Sequence, residues 1–154
     1  MMDRVASRRR YYMAFARAHT RLLLLTNGRP SYLTPRLRCL VLKTTGRRSG
    51  AQRKVVLAHL RDGDGYIVLA SNFGQERPPA WWLNLEARGE ATVIVAGRRV
   101  PVRARELHGD ERRAVLARAT AHNKQWRAYA KSLDRALPVV RLEPSVLKAS
   151  EPLG

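Results

Sequence analysis

The sequence predicts a mainly β domain with attached helices, in the form of a small antiparallel barrel. Its 154 residues are enough for one domain with a sizeable core, and 45% of them are hydrophobic. Roughly six strand-like segments and three helical segments follow one another, and most neighbouring strands are joined by tight turns instead of helices. No Gly-x-Gly-x-x-Gly follows a strand, so a dinucleotide-binding doubly wound sheet is not expected. Successive hairpins of this kind are typical of small barrels.

The first 36 residues are expected to form a basic arm, a helix and a loop. Residues 1–10 are polar and basic, as in a frayed arm. Apolar residues recur at helical spacing from Tyr11 to Leu25, and Asn27-Gly28 then stops the helix. Residues 29–36 contain two prolines and are predicted as loop. The helix could pack on the domain or lie on an anionic membrane with its arginines toward the headgroups; its short length and mixed faces favour packing.

Strands dominate the predicted main domain, residues 37–144. Asp62-Gly63-Asp64-Gly65 is a strong hairpin signal, a Gly97-Arg98 turn predicts a second hairpin, and Pro101 suggests that its strand lies at a sheet edge. The predicted strands are Leu37–Thr45, Arg53–Arg61, Tyr66–Ser71, Thr92–Ala96, Arg99–Glu106 and Val139–Leu142.

Two further helices are predicted inside this domain. Pro78-Pro79 opens a short helix that runs through Trp81 to about Arg88 and closes at Gly89. The longest helix begins at Gly109, has acids in its first turn, and runs to about Leu133. Residues 145–154 are expected to be a tail.

The net charge limits the partners of the chain. The formal charge is +18, and residues 1–53 alone carry 13 basic residues against one acidic residue. Such a field favours nucleic acid, an anionic membrane surface or a polyanionic small molecule. Aromatic residues make up only 6% and do not alternate with basic ones as in a stacking platform, so specific nucleic-acid binding is not expected.

Cysteine and histidine usage argues against disulfides and metal. Cys39 is the only cysteine, so an intrachain disulfide is impossible, and its apolar surroundings predict a small core residue. The four histidines have no ligand spacing, and no metal site is expected. No secretory signal or membrane span is visible, which predicts a cytoplasmic protein that could associate with a membrane surface.

A cationic loop between the first two predicted strands is the first candidate binding element. In the stretch Thr44-Thr45-Gly46-Arg47-Arg48-Ser49-Gly50, one hydroxyl and two arginines lie between the two glycines, and Arg53 and Lys54 follow at once. A turn rich in N–H groups and cations suits a phosphate or carboxylate. The alternative is a solvated hairpin tip that keeps the sheet soluble.

A second stretch favours the binding interpretation and brings a family into view. Ala70-Ser71-Asn72 ends a predicted strand, and PAWWLNL covers Pro79 to Leu85. Together with TTGRRSG, Arg53 and the ending DRALPVVRLEP, these motifs resemble, in order and spacing, the deazaflavin-dependent nitroreductase and quinone reductase family. The resemblance runs from about Leu37 to Pro144. It implies a split β-barrel of the flavin-reductase and pyridoxamine-phosphate-oxidase type, an actinobacterial source, and coenzyme F420 as the cofactor, with flavin mononucleotide as a less favoured alternative.

The resemblance also implies roles for individual residues. The loop would hold the cofactor's phosphate and glutamate tail, the strand end would meet the deazaflavin ring, and the short helix would close over it, with Trp81 as a flat apolar surface. Trp82 and Leu83 could equally be ordinary core residues at helical spacing. The cofactor-binding candidates are Arg47, Arg48, Ser49, Arg53, Lys54, Val55, Val56, Leu57, Ala58, Leu69, Ala70, Ser71, Asn72, Ala80, Trp81, Trp82, Leu83, Asn84 and Trp126.

The implied activity is hydride transfer from reduced coenzyme F420 to a small-molecule acceptor such as a quinone, nitro compound or enone. Ser71 and Tyr129 are the candidates for donating a proton. Some members carry a lysine at the position of Asn72, and others carry tyrosines at the positions of Asn123, Trp126 and Tyr129. These departures leave the acceptor open. They also leave a non-catalytic deazaflavin- or flavin-binding protein as the alternative, with a basic nucleic-acid-binding protein further behind.

Overall fold

The computed structural model describes residues 14–26 except residue 16, residues 32–34 and residues 37–145. The predicted arm over residues 1–10, the helix stop at Asn27-Gly28 and the tail from residue 146 lie outside this part of the chain. Within it, the strands are β1 (Tyr32–Thr34), β2 (Leu37–Thr45), β3 (Gln52–Ala58), β4 (Leu60–Asp62), β5 (Gly65–Leu69), β6 (Glu90–Val95), β7 (Arg98–Glu106) and β8 (Val139–Pro144). The helices are α1 (residues 14, 15 and 17–25), α2 (Ala80–Arg88), α3 (Gly109–His122) and α4 (Lys124–Ser132), with a 3₁₀ helix at Asn72–Gly74.

The sheet curls into the split barrel that the sequence motifs implied. Its strand order is β1-β2-β6-β7-β8-β5-β4, with β3 also paired to β2, and every pairing is antiparallel. The single strand predicted over Arg53–Arg61 is wrong, because the chain changes partner at His59. β3 pairs with β2, whereas β4 pairs with β5, and the His59 amide donates to the Arg38 carbonyl oxygen at 3.0 Å. This break lets one continuous segment join both ends of the sheet.

Two other strand predictions are corrected. Residues 29–36 were expected to be loop, but Tyr32–Thr34 pairs with the start of β2, where Tyr32 lies opposite Arg38. The edge position expected for Pro101 is also wrong, because β7 lies between β6 and β8. Proline is tolerated there because of where its nitrogen points. The Pro101 carbonyl oxygen accepts from the Ser145 amide, just beyond the end of β8. Since the nitrogen and the carbonyl oxygen of one strand residue face the same side, the ring nitrogen also lies beyond the end of the β8 ladder.

The alternation of side chains along the strands builds a core on both faces of the sheet. Leu40 and Leu42 point inward and pack with Trp81, Trp82 and Leu85 of α2, which lies against the interior of the barrel. Ile67 and Leu69 point outward and pack under α3 and α4. Cys39 and Val41 face Leu23 of α1, and Cys39 is buried, which confirms it as a small core residue.

The long helix predicted from Gly109 to about Leu133 is two helices. Asn123 has extended backbone angles (φ −129°, ψ 108°), and its side-chain oxygen accepts from the amides of Gln125 and Trp126. An asparagine in this geometry is an N-cap, so it ends α3 and starts α4 in a new direction. Asn123, Trp126 and Tyr129 line one cavity although the first of them lies at the break between the two helices.

α1 packs on the barrel, in agreement with the favoured sequence interpretation. Leu23 is buried, but Phe15, Leu22 and Leu25 expose 60%, 46% and 83% of their surface. Among the described residues, no helix combines the length and the apolar character needed to cross a bilayer.

Candidate functional site

The cationic loop is a tight turn at the end of the β2–β3 hairpin. The Gly46 amide donates to the Ala51 carbonyl at 2.7 Å, and the Gly50 amide donates back to the Gly46 carbonyl at 2.9 Å. Gly50 has a φ of 70°, and a Cβ on Gly46 would lie 2.8 Å from the Ser49 hydroxyl oxygen. The left-handed backbone at position 50 therefore favours glycine, and a side chain at position 46 would displace the Ser49 side chain.

Asn84 of α2 anchors this loop from below. Its side-chain oxygen accepts from the Arg47 amide at 3.1 Å, and its side-chain nitrogen donates to the Thr44 hydroxyl at 3.2 Å. Asn84 and Thr44 are 6% and 2% exposed, so the bond between them is shielded from water, whereas the bond from the Arg47 amide is part-buried. Asn84, predicted as a cofactor contact, lines the cavity and also holds the loop.

A cavity of about 560 Å³ opens between the loop and the start of α2. Four cations line it, and no carboxylate occurs among its described lining residues. A concave surface with this charge pattern suits a multiply charged anion. The lining consists of Thr44, Gly46, Arg47, Arg48, Ser49, Arg53, Lys54, Val55, Asn72, Pro79, Ala80, Trp81 and Asn84.

A second, mainly apolar cavity of about 160 Å³ adjoins the first. Val55, Asn72, Pro79 and Trp81 line both cavities, so the cationic cavity and the apolar cavity share one wall. The remaining lining of the apolar cavity is Val56, Leu57, Ala58, Leu69, Ser71, Phe73, Asn123, Gln125, Trp126 and Tyr129.

The two candidate proton donors lie in the apolar cavity. Ser71 is buried, and Tyr129 accepts a hydrogen bond from the Gln125 side chain at 2.8 Å through its hydroxyl oxygen. The Tyr129 ring packs so close to Gly74 that a Cβ there would lie 2.9 Å from it. The Asn72 side-chain amide donates to the Arg77 carbonyl oxygen at 2.8 Å.

Most sequence-predicted residues line these two cavities, but three do not. Ala70 and Trp82 are buried in the barrel core, and Leu83 is half-buried on α2 outside both linings. Six lining residues were not among the predicted cofactor-binding or proton-donating residues: Thr44, Gly46, Phe73, Pro79, Asn123 and Gln125. The inward direction of Thr44 could have been predicted, because it follows Leu40 and Leu42 at every second residue of β2. Phe73 and Gln125 had no such pattern, because the turns that precede them bring them to the cavity.

A separate group of cations surrounds His59, away from both cavities. Arg38, Arg61 and His59 line a further cavity of about 760 Å³ together with Arg118 and His122. Burial, and then the charges of Arg38 and Arg61, lower the pKa of His59 from 6.5 to about 4. The His59 side chain is therefore neutral at physiological pH, and its Nδ1 has no hydrogen-bond partner among the described residues.

Comparisons with known proteins agree with this geometry. The family model described as F420H(2)-dependent quinone reductase matches residues 15–144. An F420H(2)-dependent quinone reductase of Mycobacterium tuberculosis (strain H37Rv) is 32% identical over 130 residues, which cover 82% of this chain and 87% of that protein.

Solved structures support the same assignment. A structure described as an F420-H2 dependent reductase (FDR-A) superposes with a TM-score of 0.63 at 30% identity and covers 68% of this chain and 93% of its own. The heme storage protein HutZ of Vibrio cholerae shares the fold alone, with a TM-score of 0.54 at 16% identity over 70% of this chain and 81% of that one. The chain therefore belongs to the F420H(2)-dependent quinone reductase family, and it is an oxidoreductase with coenzyme F420 as its cofactor, as its motifs predicted.

Proposed function

We propose that the chain binds coenzyme F420 across the two adjoining cavities and transfers a hydride from its reduced form to a quinone. The observation that carries the proposal is the shared wall of Val55, Asn72, Pro79 and Trp81, which joins a cationic cavity to an apolar one. A cofactor with an anionic tail and a flat ring needs these two environments side by side.

The donor set fits the cofactor. Arg47, Arg48, Arg53 and Lys54 would hold the phosphate and the glutamate carboxylates, because guanidinium groups and ammonium groups donate strong hydrogen bonds to such anions. The volume of about 560 Å³ lies in the range of small-molecule sites. Trp81, which lines both cavities, offers a flat apolar surface to the ring.

The residues of this chain then have simple tasks. When bound, reduced coenzyme F420 supplies the hydride. The protein orients the cofactor, excludes water from the apolar cavity, and admits the acceptor beside Ser71 and Tyr129. A quinone that gains a hydride also needs one proton, which the hydroxyl of Ser71 or Tyr129, or a water molecule, can deliver.

We favour a quinone over a nitro compound or an enone as the acceptor. The apolar cavity contains one tyrosine together with Trp126 and Asn123, so it offers aromatic surface with few hydroxyl donors. A quinone has two carbonyl oxygens and a flat ring, and it fits such a lining.

The test begins with fluorescence titrations of the purified protein with coenzyme F420 and with flavin mononucleotide. Selective deazaflavin binding is expected. The variant Arg47→Ala/Arg48→Ala should bind the cofactor at least tenfold more weakly, because two charge-assisted contacts are lost. The matched control is Arg98→Ala/Arg99→Ala, which removes the same charge from the exposed start of β7.

Turnover is then followed as oxidation of the reduced cofactor with quinone, nitro and enone acceptors. Quinone reduction well above the enzyme-free rate supports the proposal. Tight binding without reduction of any acceptor would favour the non-catalytic binding protein, and preference for flavin mononucleotide would contradict the assigned site.

We also propose that α1 lets this enzyme attach to anionic membranes, where apolar quinones reside. Phe15, Leu22 and Leu25 are exposed at helical spacing, and the exposed Arg17 and Arg21 lie nearby on the same helix. Flotation with vesicles containing phosphatidylglycerol should carry the protein upward, and vesicles of phosphatidylcholine alone should not. Flotation of Phe15→Ser/Leu25→Ser to the same extent as the unmodified chain would contradict this role.

A further inference from the structure

Phe73 is a large apolar side chain that stands in water at the mouth of the apolar cavity. It is 77% exposed and nevertheless contributes to the lining of that cavity. The other large exposed apolar residues of the described chain, Phe15, Leu22 and Leu25, all belong to α1. An isolated exposed aromatic needs no explanation on a plain surface, but one at the edge of a ligand cavity offers contact area to whatever enters.

Phe73 is held at the cavity mouth by a strained backbone conformation. Asn72, Phe73 and Gly74 have φ values of 46°, 55° and 79°, so three successive residues are left-handed. Glycine tolerates this region and asparagine visits it, whereas a bulky residue such as phenylalanine is an outlier. Strain of this kind persists only where neighbouring structure imposes it, and it occurs preferentially at functional sites.

Arg135 imposes this conformation from outside the cavity. Its guanidinium donates to the carbonyl oxygens of Ala70 at 2.9 Å, Ser71 at 3.1 Å and Gln75 at 3.1 Å. One side chain therefore holds the backbone on both sides of Phe73. The contact of Gly74 with the Tyr129 ring fixes the turn from the other direction.

We propose that Phe73 is a specificity-determining residue that stacks on the acceptor as it enters the apolar cavity, and that Arg135 is a positioning residue for Phe73. This inference rests on the proposed function, and it adds the residue that contacts the acceptor at the mouth of the apolar cavity. Phe73 favours flat conjugated rings that are wide enough to reach from the cavity to its mouth. A fused two-ring quinone meets this condition better than a single-ring quinone.

The principal variant is Phe73→Asn, because asparagine accepts a left-handed backbone. It removes the ring and relieves strain together. The variant should unfold at the same or a higher temperature, yet its KM for a methylnaphthoquinone should rise about tenfold, the loss expected for one aromatic stacking contact. The KM for benzoquinone should change less, and cofactor affinity should stay unchanged. Phe73→Tyr keeps an aromatic ring, so it should retain more of the affinity for methylnaphthoquinone than Phe73→Asn does.

A measurement without turnover keeps the test independent of catalysis. Methylnaphthoquinone binding is followed by quenching of tryptophan fluorescence, because Trp81 and Trp126 line the same cavity. The titration is run on protein loaded with oxidised cofactor and on unloaded protein. If coenzyme F420 fails to bind at all, the proposed function is wrong, and the titration of the unloaded protein still reports the contribution of Phe73.

Arg135→Lys tests the positioning role. Lysine keeps the charge but cannot bond three carbonyls as a planar fork. Hydrogen exchange at the Gly74 and Gln75 amides, which donate to Ser71 and Asn72, should become faster. The KM for methylnaphthoquinone should rise, and adding Phe73→Asn to Arg135→Lys should raise it little further. An unchanged KM and unchanged quinone affinity in Phe73→Asn would overturn the proposal, and full additivity of the two changes would overturn the role of Arg135.

Discussion

Replacement of Asn84 by leucine tests whether the cationic loop is held in place before any ligand arrives. The change keeps the approximate volume and the helical preference of the position in α2. It removes the bond from the Arg47 amide and the bond to the Thr44 hydroxyl. The Arg47 amide and the Thr44 hydroxyl then each lose a hydrogen bond. Water can replace these bonds only in part, because position 84 and Thr44 are largely shielded from solvent.

The expected cost follows from these two bonds. A typical hydrogen bond contributes about 1 kcal/mol net, and a buried group left without a partner costs about 1–3 kcal/mol. We therefore expect the free energy of unfolding to fall by roughly 2–4 kcal/mol, a large share of the 5–15 kcal/mol typical of a domain. The loop should also lose its fixed path, so the cofactor would have to order it on binding, and affinity should fall about tenfold or more.

Urea denaturation measures the first quantity, and fluorescence titration with coenzyme F420 measures the second. Glu86→Gln is the matched control, because Glu86 lies on the same helix and is exposed. If Asn84→Leu lowered the unfolding free energy but bound the cofactor as well as the control does, the loop would not depend on its anchor. If neither quantity changed, the two bonds would contribute nothing measurable and the reasoning would be refuted.

Three further outcomes follow from other positions. Because the pKa of His59 is about 4 in the folded state and 6.5 in the unfolded state, the unfolded chain binds more protons between these values. The free energy of unfolding should therefore fall by up to about 3 kcal/mol as the pH drops from 6.5 to 4. Urea denaturation of His59→Gln over the same pH range should lack this component. Gly46→Ala should weaken cofactor binding in the fluorescence titration, because its Cβ would lie 2.8 Å from the Ser49 hydroxyl oxygen, whereas Ala51→Gly in the same loop should matter less. Asn123→Ala should cost about 1 kcal/mol in urea denaturation through loss of the α4 cap, and Asn123→Asp should restore most of it.

The barrel was predictable because its signals are local. Continuous apolar runs at residues 39–42 and 55–58 mark β2 and β3. Asp62-Gly63-Asp64-Gly65 specifies the β4–β5 turn, where Asp62 pairs with Gly65. The composition of the cationic loop likewise predicted an anion site. That prediction depends only on residues close together in the sequence, namely two glycines and several cations in a short turn. The break at Asn123 also had a local signal, the preference of asparagine for N-caps, which the helical periodicity around it obscured.

Other features depend on residues far apart in the chain and could not be read from local patterns. The change of partner at His59 is set by where β2 and β5 end in space. The anchoring role of Asn84 depends on Arg47, which lies 37 residues earlier. Phe73 looks like a core residue in the sequence, and only the guanidinium of Arg135, more than 60 residues later, explains why it faces water.

The uncompensated charge of the cationic cavity also has a kinetic consequence. Four cations with no carboxylate among the described lining residues produce a field that reaches beyond contact distance, over about 10 Å at 0.1 M salt. An anionic cofactor is then drawn toward its site during diffusion, so salt should slow its association much more than it changes its escape. The enzyme would then capture scarce coenzyme quickly, and the rate of reloading between turnovers would depend on ionic strength.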